Sequence, residues 1–148
     1  MVAEHIYVNL VRKVKEFSKT INPVKKEITM EIPKDIFSRN VPGMTEKLQQ
    51  TTVGIAGCGG LGSNSAVALT RAGIGKLILA DFDKGEASNL NRQHFFQADI
   101  GKVKVEALAG HLKAINPEIE LEIYNKKLQP FDIPVVFNEA HLLLEAFD

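Results

Sequence analysis

A cluster of four glycines between two apolar segments constrains this chain more than any other feature. The residues Gly57-Cys58-Gly59-Gly60-Leu61-Gly62 fit the pattern G-x-G-x-x-G. They follow Thr52–Ala56, a predicted strand, and precede Ser63–Ala72, a predicted helix that Gly73 and Gly75 end. Such glycines permit a tight turn, and the helix start offers free N–H groups to a phosphate. The pattern favours a nucleotide-binding turn over a glycine turn that only packs.

Strands and helices alternate after this turn. Leu77–Ala80, Ile119–Tyr124 and His141–Phe147 are predicted strands, and a helix is predicted from about Ile100 to Ile115. Because strands separated by helices pair in parallel, we expect an α/β fold with a doubly wound, mainly parallel sheet. Four strands are few for this class and the last predicted strand ends the chain. We therefore expect a sheet that is incomplete at its C-terminus, in a fragment of a longer protein.

The first 33 residues have a different pattern. Apolar residues at helical spacing predict a helix that ends at Asn22-Pro23, and the alternation of Ile28, Met30 and Ile32 with polar residues predicts a half-buried strand. We therefore expect a small N-terminal helix-strand extension over residues 1–33. The nucleotide-binding domain is expected over residues 34–148.

Composition excludes several classes of protein. The chain has 148 residues, about one domain, and its 18 basic and 18 acidic residues balance, which argues against nonspecific nucleic-acid binding. A single cysteine excludes a disulfide framework and any multi-cysteine zinc site within this chain. No apolar run approaches the roughly 20 residues of a membrane span, and residues 1–10 lack the apolar core of a signal peptide. We expect a cytoplasmic protein.

The loop after the second predicted strand carries the polar chemistry. Asp81 follows Gly62 by nineteen residues and is well placed to hold ribose hydroxyls. Asn89 and Arg92 come close behind it, and Lys104 falls in the first turn of the next helix, where it opposes the helix dipole. A bound polyphosphate would explain these cations. The alternative is that Arg92 and Lys104 are ordinary surface charges, and we expect both to be partly exposed.

The remaining reactive side chains point less clearly to chemistry. Cys58 could be a nucleophile, because a helix N-terminus lowers the pKa of a thiol, but we favour a small apolar filler. The four histidines are interpreted as structural or surface residues; they are His5, His94, His111 and His141. No general base is therefore expected among them.

Several separated segments together resemble the ThiF/MoeB/HesA family, the bacterial relatives of ubiquitin-activating enzymes. In chain order they are Val53–Asn64, Leu79–Asp83, Ser88–Gln93 and Gly101–Lys104. Leu144–Asp148 also resembles the family strand that ends in a functional aspartate. Phe37–Asn40 and Glu145–Asp148 are most similar to the thiamine-biosynthesis ThiF branch. The resemblance covers roughly residues 37–148.

This resemblance implies a Rossmann-like fold and an ATP-dependent adenylyltransferase that uses Mg²⁺. Such enzymes activate the C-terminal glycine carboxylate of a ubiquitin-like sulfur carrier, here a ThiS-like protein of thiazole synthesis. The carboxylate attacks the α-phosphate, and pyrophosphate leaves. The resemblance further implies a homodimer, with no membrane partner. Carrier-docking loops, zinc-binding cysteines and any sulfur-carrying cysteine would follow residue 148.

The resemblance also implies a role for particular residues. The glycines that line the nucleotide turn are Gly57, Gly59, Gly60 and Gly62. Asp81 would hold the ribose, with Asp83 in the same nucleotide site. The phosphates would be bound by Asn89, Arg92 and Lys104. Asp148 would lie near the transferred phosphoryl group and bind Mg²⁺. Arg39 resembles the arginine that reaches into the site of a neighbouring subunit.

Three other functions stay open at this point. One is the family branch that uses ATP to dehydrate threonylcarbamoyladenosine in tRNA. Another is an NAD-dependent oxidoreductase, which would bind NAD without regard to Mg²⁺ and has no use for Arg92 or Lys104. The third is a nucleotide-binding fragment or pseudoenzyme that binds ATP without exchanging pyrophosphate.

Overall fold

The structure, a computed structural model, describes residues 35–147. The predicted helix and strand of residues 1–33 lie outside the described residues, and so does Asp148. The proposed division of the chain after residue 33 therefore stays a prediction.

Strands and helices alternate through the described part of the chain. Before the first crossover come α1 (Met44–Gln49) and β1 (Thr52–Ala56). The rest of the order is α2 (Gly60–Ala72), β2 (Lys76–Ala80), α3 (Lys104–Ile115), β3 (Glu120–Tyr124), α4 (Ile133–Val136) and β4 (Leu142–Glu145). Two short 3-10 turns, Ala87–Asn89 and Gln97–Asp99, interrupt the long loop between β2 and α3.

The sheet has the strand order β3-β2-β1-β4, and every neighbouring pair is parallel. Ile55 in β1 is level with Leu79 in β2 on one side and with Leu144 in β4 on the other. From β1 the chain builds outward through β2 and β3, then returns to the opposite side of β1 for β4. This reversal is the mark of a doubly wound sheet, so the predicted Rossmann-like fold is confirmed.

The two faces of the sheet are covered differently. On one face, strand residues such as Ile55 and Leu79 pack with Leu108 and Leu112 of α3 in a fully buried core. On the other face, Ile78 and small residues of β1 and β2 pack beneath the short α4 segment. Gly54 permits this approach, because a Cβ there would lie 2.5 Å from the ring of Phe137. Alternating buried residues on both faces explain the continuous apolar strand sequences.

The starts of both long helices differ from the sequence expectations, in opposite directions. Helix α2 begins at Gly60 rather than Ser63, so half of the predicted glycine turn is the first helical turn. Helix α3 begins at Lys104 rather than near Ile100, since Gly101 has a left-handed φ of 84° that ends the preceding turn. Helices α1 and α4 were not predicted. None of the helices between residues 35 and 147 is long and apolar enough to cross a membrane.

Candidate functional site

The candidate site lies at the carboxyl ends of the parallel strands β1, β2 and β4. The Gly57 N–H donates to the Ala80 carbonyl at 2.8 Å, and the Ala146 N–H donates to the Ala56 carbonyl at 2.8 Å. These bonds bring the glycine turn, the loop after β2 and the end of β4 side by side. The site therefore occupies the crevice at the reversal of strand order, which is where doubly wound sheets bind ligands.

Two glycines of the turn are required by the packing of the protein itself. Gly57 has a φ of 100°, and a Cβ there would lie 2.6 Å from the Ala146 carbonyl oxygen. A Cβ at Gly62 would lie 1.8 Å from the Gly57 carbonyl oxygen. Gly59 and Gly60 are different, because the nearest heavy atoms to their added Cβ positions are 3.8 and 3.9 Å away. Protein packing does not explain why these two positions lack side chains.

Helix α2 begins at this turn without a side-chain cap. Gly59 is its N-cap, and the first intrahelical bond runs from the Ser63 N–H to the Gly59 carbonyl at 3.0 Å. The backbone N–H groups at residues 60–62 have no carbonyl partner within the helix. Together with the positive end of the helix dipole, they favour an anion above Gly59 and Gly60.

Asp81 is a buried carboxylate, 6% exposed, that joins the turn to the next loop. Its Oδ2 accepts the Cys58 N–H at 2.7 Å, and its Oδ1 accepts the Asp83 N–H at 2.8 Å. Both oxygens are thus fixed in the wall of a cavity. The structure places Asp81 where the sequence analysis needed it, while its contact with a ribose stays a prediction.

Two adjacent cavities lie near the carboxyl ends of these strands. The turn cavity has a volume of about 190 Å³ and is lined by Gly57, Gly59, Asp81, Phe82, Asp83, Gln93, Lys104, Ala146 and Phe147. The loop cavity has a volume of about 230 Å³ and is lined by Asp83, Lys84, Glu86, Asn89, Arg92, Gln93 and Lys104. They share Asp83, Gln93 and Lys104, so the two cavities are adjacent. A cavity of about 350 Å³ near Phe37 and Asn116, at the other end of the strands, includes none of the predicted site residues.

Lys104 lies in the wall between these cavities, and the expectation that it is partly exposed is wrong. Its side chain is only 7% exposed, because α3 begins at this residue and directs its stem inward. Its Nζ lies 3.2 Å from Asp83 Oδ2, and its backbone N–H donates to the Asp83 carbonyl at 2.9 Å. A buried cation of this kind needs a paired anion, and Asp83 supplies it.

Arg92 and Asn89 both line the loop cavity. Arg92 is exposed, and its Nη1 donates to the Ser88 carbonyl at 3.1 Å and to Asn91 Oδ1 at 3.2 Å. Asn89 is buried, and its Oδ1 accepts the Glu86 N–H at 3.1 Å, which shapes the 3-10 turn. The structure brings both to one cavity with Lys104. Their contact with phosphates stays a prediction.

Two polar side chains of α2 tie this loop to the glycine turn, and sequence reasoning missed both. The Ser63 hydroxyl donates to the Gly59 carbonyl at 2.6 Å and accepts the His94 N–H at 3.0 Å. The Asn64 amide donates to the Arg92 carbonyl at 2.9 Å. Position alone could have suggested them, since they immediately follow the glycine pattern. Their effect is to hold Arg92–His94 against the start of α2.

Cys58 and the described histidines play no direct part in this arrangement. Cys58 is fully buried, and burial, reinforced by the negative charge of Asp81, raises the pKa of its thiol far above the ordinary value. The filler interpretation is therefore confirmed over a nucleophile. His111 lies between Asp99 and the His94 carbonyl, and His141 accepts the Thr52 N–H. His94, His111 and His141 are structural or surface residues, as predicted; His5 lies outside the described residues.

Arg39 is not brought to this site. It lies in an exposed turn whose next residue, Asn40, donates to the Ala72 carbonyl at 2.9 Å, at the C-terminal end of α2. The turn is thus about 20 Å of helix away from Gly60. Among residues 35–147, no three His, Cys, Asp or Glu side chains are grouped to hold a metal ion. Asp148, the predicted Mg²⁺ ligand, lies outside the described residues.

The fold and the site define a doubly wound α/β domain with a glycine turn at its reversal of strand order. The model of the ThiF family matches residues 32–148, and the chain belongs to that family. The resemblance identified in the sequence is thereby confirmed.

Two relatives of known name are similar to part of this chain. The chain is 45% identical over 93 residues to ubiquitin-like modifier-activating enzyme 5 of Drosophila persimilis, a match that covers 63% of this chain and 24% of the relative. It is 45% identical over 87 residues to the same enzyme of Xenopus laevis, a match that covers 59% of this chain and 22% of the relative. The chain thus spans about a quarter of the length of these relatives.

Solved structures share the fold. The E. coli tRNA N6-threonylcarbamoyladenosine dehydratase TcdA, in complex with ATP, superposes with a TM-score of 0.71 at 27% identity, covering 76% of this chain and 47% of that one. The E. coli protein MccB, solved with MccA-N7isoASN, has a TM-score of 0.58 at 36% identity. This match covers 61% of this chain and 26% of the MccB chain.

Proposed function

We propose that the protein containing this domain binds ATP and transfers AMP to the C-terminal carboxylate of a ubiquitin-like or other small protein. The observation that carries the proposal is the pair of adjacent cavities at the reversal of strand order. Asp81 lines one cavity, Arg92 the other, and Lys104 both. Support comes from relatives named as ubiquitin-like modifier-activating enzymes and from the ATP complex of TcdA.

The reaction suits the groups in the site. A carboxylate oxygen of the small protein forms a bond to the α-phosphorus, and the bond from that phosphorus to the bridging oxygen of the β-phosphate breaks. Pyrophosphate leaves with that electron pair, and an acyl-adenylate forms. The attacking carboxylate is already ionised near pH 7, so the reaction needs no general base. Positioning and stabilisation of phosphate charge are the main tasks left to the protein.

Each side chain has a role in this proposal. Asp81 accepts hydrogen bonds from the ribose hydroxyls, and the open space above Gly59 receives the phosphate chain. Asn89, Arg92 and Lys104 bind phosphate oxygens. These groups would orient the α-phosphorus toward the incoming carboxylate.

Magnesium fits this donor set. Asp83 has a half-exposed carboxylate that lines both cavities, and Asp148, which lies outside the described residues, is proposed as a second ligand. Mg²⁺ is commonly held by one or two carboxylates together with substrate phosphates, and when bound it would neutralise phosphate charge.

The finer proposal names the partner and the assembly. We propose a ThiS-like sulfur carrier as the small protein, in thiazole synthesis, and a cytoplasmic homodimer in which Arg39 serves the site of the other subunit. The position of Arg39 bears only on the assembly: its turn packs at the end of α2, far from the glycine turn of its own chain, so any site that it serves belongs to another subunit.

A second candidate is the dehydration of threonylcarbamoyladenosine in tRNA. It is favoured by the likeness to TcdA at a TM-score of 0.71. ATP consumption by the full-length protein that depends on modified tRNA would support it. Pyrophosphate exchange that depends on a ubiquitin-like carrier would support the first proposal.

Thermal shift of this chain with ATP·Mg²⁺, ATP plus chelator, and NAD tests the nucleotide site. A ligand that binds only the folded state raises stability by RT ln(1 + [L]/Kd). We expect a shift with ATP·Mg²⁺ that Arg92→Ala reduces, since loss of a charged contact costs about 10-fold or more in affinity. The exposed residue Arg71, on α2, provides the matched control Arg71→Ala. A shift with NAD alone would favour an oxidoreductase and overturn the proposal.

A further inference from the structure

His111, on α3, connects that helix to the loop between β2 and α3. Its Nδ1 lies 3.2 Å from the His94 carbonyl oxygen, and its Nε2 lies 3.0 Å from Asp99 Oδ2. The ring of Phe96 packs edge-on against the imidazole, with the two ring centroids 4.8 Å apart. The side chain of His111 is only 21% exposed, and it contacts both ends of the loop segment 94–99.

The two polar partners of this imidazole accept hydrogen bonds and cannot donate them. A carbonyl oxygen and an ionised carboxylate have no proton to offer, and a neutral imidazole has a single N–H. Both bonds therefore form together only when both nitrogens of the His111 ring carry a proton, which gives the ring a positive charge. Asp99 supplies the matching anion, since its side chain is only 6% exposed and a buried carboxylate needs a paired cation or hydrogen-bond donors. Its Oδ2 also accepts the Phe96 N–H at 2.8 Å.

Among residues 35–147, Asp99 is the charged side chain that faces the His111 ring. Lys102 lies behind it, with its Nζ 3.6 Å from Asp99 Oδ1. Positions 107, 108, 114 and 115, one helical turn away on α3, carry alanine, leucine or isoleucine, which do not titrate. Other titratable side chains of segment 94–99, α2, α3 and β3 are exposed or have partners of their own; these are His94, Arg71, Lys104, Glu106, Lys113 and the three of β3.

The segment that His111 contacts adjoins the cation of the loop cavity. Arg92, which lines that cavity, lies just before His94 in the chain. The His94 residue is fixed from two helices, since its N–H donates to Ser63 Oγ of α2 at 3.0 Å and its carbonyl faces His111 of α3. Loss of a His111 contact would therefore loosen the part of the loop that carries Arg92.

We propose that His111, with both ring nitrogens protonated, is a positioning residue that holds Arg92 at the nucleotide site, so that ATP affinity falls when the ring loses its proton. The contacts with His94 and Asp99 are complete while the ring is charged. One of them is lost as the pH rises through the range of about 5 to 8, in which histidines ordinarily titrate. The affinity that depends on this loop is therefore present at low pH and lost at high pH. This proposal rests on the proposed function, because it requires that Arg92 bind a nucleotide.

His111→Gln tests the proposal, since glutamine keeps a hydrogen-bond donor and has no charge to lose. Calorimetry with ATP·Mg²⁺ measures the affinity of wild type and variant, and the ratio of the two cancels the titration of ATP itself. We expect this ratio to fall about 3- to 10-fold between about pH 6 and pH 8.5, as one hydrogen bond is lost. His94→Gln removes an exposed imidazole from the same loop and should keep the wild-type pH profile. A histidine with a merely structural role would change the affinity equally at every pH.

Three outcomes would overturn this role for His111. If the wild-type chain binds no ATP at any pH, the proposed function fails and takes the inference with it. If wild type binds ATP with the same pH profile as His111→Gln, the inference alone is overturned. Nitrogen-15 NMR of the wild-type chain needs no variant and applies even if His111→Gln fails to fold. Both ring nitrogens of His111 should be protonated at about pH 6, and a neutral ring at that pH would overturn the proposal.

Discussion

Lys104 Nζ lies 3.2 Å from Asp83 Oδ2, and the two side chains are 7% and 51% exposed. The pair thus joins a buried cation to a half-exposed anion, and the Asp83 carbonyl also accepts the Lys104 N–H. The lysine charge is fixed in the wall that both cavities share. We expect a charge held there to affect ligand binding more than folding, since the partner carboxylate of Asp83 is half exposed and stays solvated when the lysine is removed.

Lys104→Met should therefore weaken ATP binding while it changes the stability of the fold little. We expect a Tm within about 4 °C of wild type, since the remaining Asp83 is solvated. ATP affinity, measured by calorimetry, should fall about 10- to 100-fold. The matched control is Lys102→Met, at an exposed lysine two residues earlier. Unchanged ATP affinity in Lys104→Met would remove the proposed phosphate contact.

Alanine substitutions at two glycines should have opposite effects. Gly62→Ala should destabilise the fold by about 3 kcal/mol or more, because its Cβ would overlap the Gly57 carbonyl at 1.8 Å. Gly59→Ala meets no atom closer than 3.8 Å, so stability should stay within about 1 kcal/mol of wild type. Its methyl group would instead occupy ligand space and abolish ATP binding. Urea unfolding with nucleotide titration measures both, and normal ATP binding by Gly59→Ala would contradict the site.

Cys58 should be inert to thiol reagents in the folded protein. Its thiol is fully buried and its pKa is raised, so both access and thiolate are lacking. We expect labelling by a thiol-specific reagent at pH 8 to be at least about 100-fold slower than in urea, where one thiol per chain should react. Saturating ATP should slow it further. Fast labelling under native conditions would instead show that the glycine turn opens readily.

Lys76 and its carboxylate partners should make the stability of the fold depend on pH. This effect does not involve the residues of the candidate site. Its Nζ lies 3.0 Å from Glu120, 3.2 Å from Glu122 and 2.6 Å from Glu139. The pKa of Glu122 is lowered by hydrogen bonds from Tyr124 and Lys76, and these carboxylates raise the pKa of Lys76. A lowered carboxyl pKa gives stability that is present above its ordinary value of 4.5 and is lost as the pH falls through the folded value.

Lys76→Met would leave three carboxylates without their shared cation. We expect a lower free energy of unfolding at pH 7, because the ionised carboxylates repel one another. The difference from wild type should shrink as the pH falls below about 4.5, since protonation removes the repulsion. Urea unfolding at pH 7 and pH 3.5 measures this, with the exposed-lysine variant Lys47→Met as control. A difference that is independent of pH would contradict the electrostatic origin.

The parallel pairing and most strand positions could be predicted, because a buried strand is a short, continuous run of apolar residues. Thr52–Ala56 was placed without error, and Leu77–Ala80 missed only Lys76. Helix starts were less predictable, because glycine favours both turns and helix N-termini. Gly60 and Gly62 were therefore assigned to the turn that precedes α2.

The sequence indicated which polar residues lie near the glycine turn, but less about how they are arranged there. The sequence identified Asp81, Arg92 and Lys104, which the structure brings to adjacent cavities. It could not show that Lys104 is buried, because burial depends on contact with a segment twenty-one residues earlier. The unpaired side-chain oxygen of Gln93 likewise cannot be predicted from the sequence, since a missing hydrogen bond is a property of the packed chain.

The end of β4 has a consequence for how the domain would respond to its ligand. Ala146 and Phe147 line the turn cavity, and the Ala146 carbonyl packs against Gly57. A nucleotide in that cavity would contact segments that lie about ninety residues apart in the chain. Its binding would therefore stabilise the pairing of β4 with β1, at one side of the described sheet. Local opening of β4 would expel the ligand, and ligand would suppress that opening. The hydrogen-exchange rates of the β4 amides would then depend on whether nucleotide is bound as well as on the stability of the fold.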